Sequence, residues 1–270
     1  MSLMEPTRIL FVCTAMEPYL PASEIATLVR QLSQGVQDQG REIRTFMPRY
    51  GCINERRNQL HEVIRLSGMN IIIDDTDHPL IIKVATLPSA RTQIYFIDNE
   101  DYFQRRAILY DEEGNLLEDN DERSIFFARG VLETVKKLRW SPDVIHCHGW
   151  FTCLLAVFLK KAYKDDPLFA NTKIVLSLYD EKFTSPLNAK AKRKLLMDGI
   201  KAKDVELLAE PNYENFMKLA IQYSDGLIVG SKEVDPSLVA YAKSLKKPVL
   251  AYQGEEYVSA YNTFYDKIIG

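Results

Sequence analysis

Apolar residues run almost without interruption from Arg8 to Cys13, the pattern of a strand buried on both faces of a parallel sheet. Ile25, Leu28, Val29, Leu32 and Val36 then recur at helical spacing, with Ser23 placed to cap the helix and Gly40 to stop it. Residues 43–47 predict a second strand ended by Pro48, which completes a βαβ opening. From 62 to 98 the pattern changes. Short β-rich runs at 63–66, 70–73, 80–87 and 92–97 are separated by turn residues at Ser67-Gly68 and at Asp77-His78-Pro79. With no helical period between them, they predict a local antiparallel excursion.

An acidic stretch at 111–122 reads as a solvated loop. Beyond it, β and α patterns alternate again. A helix at 124–139 carries Ile125, Ala128, Val131, Leu132, Val135 and Leu138 on one face. Strands follow at 143–147, 173–178 and 226–230, and helices at 150–163, 212–223 and 237–245. Residues 248–252 suggest a last strand, and 255–268 a terminal helix. The fold class is therefore α/β, a Rossmann-like doubly wound and mostly parallel sheet with a local antiparallel excursion, in one domain over 1–270. Met4 reads as the native start, with Met1-Ser2-Leu3 added ahead of it.

Composition narrows the classes. A chain of 270 residues that is 46% hydrophobic can bury one large core. A net charge of -3 argues against a nucleic-acid partner. No apolar run approaches the roughly 20 residues of a membrane span. The four cysteines lack CxxC spacing, and Cys13 and Cys147 end strand-like runs. They read as buried thiols in a reducing, cytoplasmic setting.

In a doubly wound sheet, ligands bind outside the carboxyl ends of the strands. That gathers the loops at 14–24, 148–152 and 179–185 with Ser231. His146 and His148 share one side of their strand by alternation, with His148 nearer the loop. His148 suits hydrogen bonding to a sugar or help to a leaving group, though its spacing alone fits a structural histidine bridging loop carbonyls somewhat better. A metal held by the two histidines lacks an evident third ligand. The motifs of P-loop NTPases, dinucleotide dehydrogenases, zincins and serine hydrolases do not occur. Lys190, Lys192, Arg193 and Lys194 read as a solvated face, or as a contact for an anion or acidic partner. Tyr257, Tyr261, Phe264 and Tyr265 form one helical stripe, which docks the terminal helix or offers a surface for sugar stacking.

These residues carry a family resemblance. The first strand with Glu17-Pro18, the run Phe46-Met47-Pro48-Arg49-Tyr50-Gly51, and the stretch Ile94-Tyr95-Phe96-Ile97-Asp98-Asn99 with Tyr102-Phe103 resemble bacterial glycogen and starch synthases. So do Asp119-Asn120 with Glu122-Arg123, and Asp166-Pro167-Leu168-Phe169. The most specific piece is Trp140-Ser141-Pro142-Asp143-Val144-Ile145-His146-Cys147-His148-Gly149-Trp150-Phe151-Thr152.

The resemblance implies the acceptor-side half of a GT-B glycosyltransferase that moves glucose from ADP-glucose to an α-1,4-glucan. It also shows departures. The family's Lys-Thr-Gly-Gly-Leu loop is replaced by Pro21-Ala22-Ser23-Glu24-Ile25, and Glu24 would repel a diphosphate. Thr27 and Gly149 stand where the family has aspartates, and Tyr179-Asp180 where it has His-Asn. Since the chain ends at Gly270, the nucleotide-holding half is expected to be missing.

The expected function is thus a catalytically degenerate homologue that binds an α-glucan, a small sugar or a partner protein of glycogen metabolism. The alternative is an ADP-glucose-dependent glucosyltransferase acting with a separate C-terminal half. A transferase of changed donor or acceptor, with Glu24 or Tyr179 in new roles, is the third reading. His148 is the candidate catalytic residue. Thr14, Glu17, Ser23, Glu24, Asn120, Trp150, Tyr179 and Ser231 are the candidate substrate-binding residues. No metal, cofactor, nucleic acid or membrane is expected.

Overall fold

A computed structural model describes residues 5–87 and 92–270, so the expected start at Met4 lies outside the described residues. The parallel strands are β1 (Arg8–Cys13), β2 (Glu42–Pro48), β6 (Thr92–Asp98), β7 (Val144–His148), β8 (Lys173–Leu178), β9 (Gly226–Val229) and β10 (Val249–Leu250). Three more, β3 (His61–Glu62), β4 (Met69–Ile73) and β5 (Thr76–Leu87), form the antiparallel excursion. The sheet runs β10-β9-β8-β7-β1-β2-β6-β5-β3, with β4 paired to β5. After β6 the chain crosses back to the other side of β1, so the order reverses between β1 and β7. That reversal creates the crevice where this architecture places ligands.

Helices cover both faces. α1 (Glu24–Asp38) begins at Ser23, whose extended backbone lets its hydroxyl accept the Ala26 N–H at 3.2 Å. It ends at Gly40, which takes φ +86. The short α2 (Glu100–Phe103) precedes α3 (Asn120–Leu138), α4 (Leu155–Lys161), α5 (Ala191–Lys194), α6 (Tyr213–Tyr223), α7 (Pro236–Ser244) and α8 (Tyr257–Ile269). Alternation along the strands divides the core. Leu10, Val12, Ile145, Cys147 and Leu176 pack with residues of α3, α4 and α6. Ile9, Phe11, Val144, Val175 and Ile228 pack with α1 and α8 through Leu32, Val36, Tyr261, Phe264 and Tyr265.

The tyrosine stripe therefore docks the last helix onto the sheet face beside α1. Arg41 clamps it by donating to Asn262 Oδ1 at 3.2 Å and to Asp266 Oδ1 at 2.8 Å. Cys13, Cys147 and Cys153 are buried free thiols, and Cys52 is exposed. Among the described residues no helix is long and apolar enough to cross a membrane.

Three local expectations change. The acidic stretch expected as a solvated loop over 111–122 enters α3 at Asn120, and Asp121 is buried there. The hairpin turns at Asp74-Asp75, both at positive φ (47° and 64°), and not at Asp77-His78-Pro79. Those three residues lie in β5, where Pro79 sits opposite Asn70. Aspartate tolerates the left-handed region, so this pair supplies a two-residue turn that matches strand twist. Residues 63–66 form a turn and not a strand, closed by the Leu66 N–H on the Val63 carbonyl at 2.9 Å.

Candidate functional site

The switch point brings the ends of β1 and β7 together, where the Thr14 N–H donates to the His148 carbonyl at 3.3 Å. The chain then turns at Gly149 with φ +90 and ψ 143, a conformation that L side chains rarely adopt. A Cβ there would lie 2.7 Å from Thr14 Oγ1 and 3.3 Å from Ile25 Cδ1. Thr14 and Ile25 thus fill the space that the aspartate implied there by the resemblance would need.

His146 and His148 do share one face, with ring centroids 3.9 Å apart. Both nitrogens of His146 are engaged, Nδ1 at 2.7 Å from Tyr265 Oη and Nε2 at 2.7 Å from Ser177 Oγ. His148 Nδ1 lies 2.6 Å from Tyr179 Oη, while its Nε2 has no hydrogen-bond partner among the described residues. Burial pushes His148 down to about 3, and burial with the neighbouring His148 holds His146 well below its usual value. Burial likewise keeps the Tyr179 phenol protonated. The group is a chain of neutral hydrogen-bonding side chains. His148 is fully buried, so the open position near the loop expected for it is enclosed by protein.

Three strand ends meet at Glu24. Ser231 Oγ donates to Glu24 Oε2 at 2.5 Å and accepts the Asp180 N–H at 3.2 Å. Beside them Gly230 admits the Tyr179 ring, since a Cβ at 230 would sit 2.8 Å from Tyr179 Cε1. Glu17 joins this edge through its backbone, whose N–H donates to the Ala26 carbonyl at 3.3 Å. The half-buried Glu181 accepts the Trp150 N–H. Burial pushes its carboxyl up to about 8, and the nearby Glu24 adds to the rise.

The structure therefore joins Glu24 to Ser231 and His148 to Tyr179, and sets Thr14 against Gly149. It gives other candidates different tasks. Asn120 is buried, donates to the Leu109 carbonyl at 2.8 Å and accepts from Arg123 at 2.6 Å, so it braces the start of α3 and is closed to a ligand. The Trp150 ring is buried against Phe183 and Phe216, at centroid distances of 4.8 and 5.6 Å. Only its backbone serves the cleft. Lys194 leaves the expected solvated face, being buried in ion pairs with Asp121 (2.8 Å) and Glu122 (2.7 Å). Glu181 and Ser177 had not been singled out, and Tyr265, expected only in the helical stripe, also meets His146. Glu181 carried a signal, since it stands two residues beyond Tyr179 at a strand end. Among the described residues no group of three or more His, Cys, Asp or Glu side chains is arranged to hold a metal.

Comparison with known proteins places the chain in a family. The family model of the starch synthase catalytic domain matches residues 8–245. A glycogen synthase from Chlorobium luteolum is 35% identical over 226 residues, which are 83% of this chain and 46% of that protein. One from Chlorobium limicola is 38% identical over 194 residues, covering 72% of this chain and 40% of the relative. The solved catalytic domain of starch synthase IV from Arabidopsis thaliana superposes with a TM-score of 0.72 at 18% identity, over 92% of this chain and 51% of that one. The chain thus has the fold of the matching part of a GT-B catalytic domain, and it spans about half the length of the curated relatives it matches. It belongs to the family of the starch synthase catalytic domain.

Proposed function

We propose that this domain binds an α-glucan and, by itself, does not transfer glucose. The observation that carries the reading is the bond from Ser231 to Glu24 in the first turn of α1. A helix N-terminus attracts anions through its free N–H groups and dipole. Here Glu24 puts the protein's own carboxylate at that end, where the resemblance expects a glycine beside phosphate. Neutral His148 and the raised carboxyl of Glu181 supply no compensating positive charge. A glucan needs hydrogen bonds and no cation, and the exposed Ser23, Glu24 and Asp180 side chains can supply them. The Arabidopsis relative was solved bound to ADP and acarbose; we carry over to this chain a sugar ligand and not the nucleotide.

The test is a radiolabelled transfer assay with ADP-glucose and glycogen, run beside calorimetric titration of maltooligosaccharides. Binding without incorporation is expected. Incorporation by the purified chain overturns the reading, and so does an absence of binding. A second reading is ADP-glucose-dependent transfer completed by a separate C-terminal half. Identity of 35% sustained over 226 residues favours it, and it predicts that adding such a half restores incorporation.

A further inference from the structure

Next to Glu24 lies a cavity of about 690 Å³, a size typical of small-ligand sites. Its walls include Glu24, Thr27 and Gln31 of α1, and Tyr252, Glu255 and Tyr257 of the segment leading into α8. We propose that this cavity is a subsite for a neutral sugar, a glucosyl unit of the chain bound at the cleft, which rests on the glucan reading above.

The lining decides the ligand class. No lysine or arginine is among the described residues that form it, and two glutamates are, so a phosphate would meet negative charge with no cationic partner. A sugar presents hydroxyl donors to those carboxylates and C–H faces to an aromatic ring. Tyr252 is 44% exposed, so its ring is open to such stacking. Tyr257 is held differently. Its hydroxyl donates to Gln31 Oε1 at 2.7 Å, which fixes the wall and leaves the Gln31 amide N–H groups to donate.

The helical side of the wall is preformed. Tyr261, Phe264 and Tyr265 anchor α8 in the core below it, and Arg41 pins the helix to the turn that follows α1. Tyr257 therefore needs little ordering on binding. Position matters as well. Glu24 and Gly230 belong to both the cavity and the strand-end edge, so a ligand here adjoins the cleft. Tyr252, Glu255 and Tyr257 lie beyond residue 245, where the family match stops, so this wall is a feature outside the matched domain.

The experiment titrates the full chain with maltotetraose, with ADP and with spermidine, for the wild type and for Tyr252→Ala and Glu255→Gln. Both side chains are exposed, so the variants should keep the wild-type fold, which circular dichroism checks. We expect maltotetraose to bind and ADP not to. Tyr252→Ala should weaken maltotetraose about tenfold, the loss of one stacked ring. Equal affinity in all three proteins overturns the subsite and leaves the glucan reading standing. No maltotetraose binding to the wild type overturns both. Spermidine or ADP binding in preference to maltotetraose overturns the neutral-sugar class.

Discussion

Replacing Glu181 by glutamine should make the domain more stable in alkali and flatten its response to pH. Glu181 accepts the Trp150 N–H, and burial, with a smaller push from Glu24, raises its carboxyl from 4.5 to about 8. Between those values the folded protein holds a proton that the unfolded chain has released. Folding stability must then fall as pH rises through that window, because the unfolded state binds fewer protons. The contribution is complete below about 4.5 and lost above about 8. At about 1.36 kcal/mol per pH unit, the ceiling for this group is about 5 kcal/mol. Glu181 is only half-buried, so water moderates the cost of its charge, and about 2 kcal/mol is the expected size at pH 9. Glutamine keeps a carbonyl for the Trp150 N–H and cannot ionise. Guanidinium unfolding at pH 5, 7 and 9 is the assay. The variant should match the wild type near pH 5 and exceed it at pH 9 at equal m-value. An identical pH slope in the two proteins would refute the assignment of a buried, protonated carboxyl at the cleft.

Two further outcomes follow from the same geometry. Restoring the family's acid with Gly149→Asp should cost about 3 kcal/mol, because the backbone sits at φ +90 and the new Cβ meets Thr14 Oγ1 at 2.7 Å; chemical denaturation measures it, and unchanged stability would contradict the strain. Truncating the fully buried Tyr265 to alanine should cost about 3–5 kcal/mol and raise hydrogen exchange most across α8, and protection there equal to the wild type would mean the helix is anchored elsewhere.

The parallel strands were legible because burial on both faces leaves unbroken apolar runs such as Ile9–Cys13. Ser23 was legible as a cap, and the period of two placed His146 and His148 on one face. Docking of the tyrosine stripe followed from its helical spacing. Turn chemistry was less legible. Asp77-His78-Pro79 has turn composition, yet two preceding aspartates take the left-handed region and draw the turn to themselves. Residues 180–211 have no period to read, since they build only the short α5 and an irregular 3-10 stretch at Ala202–Ala209. Asn120 and Lys194 looked like surface or site residues from their polarity. Polarity alone cannot distinguish a group facing a ligand from one satisfied inward by Leu109, Arg123, Asp121 and Glu122.

The departures that the resemblance implies are not independent losses. At Glu24, where it implies a glycine, Ser231 supplies a hydrogen bond and Asp180 holds Ser231 in place. At Gly149, where it implies an acid, Thr14 and Ile25 occupy the volume. At Tyr179, where it implies a histidine, the hydroxyl meets His148 and the ring lies against Gly230. Each replacement touches a residue that accommodates it, and contacting residues do not contribute additively. Returning one position to the family residue would therefore leave its partner unsatisfied or overpacked, and would not by itself rebuild a phosphate site. Under the glucan reading proposed above, the exposed carboxylates of Glu24 and Asp180 are the groups left to accept hydrogen bonds from sugar hydroxyls, and the same charges oppose a diphosphate.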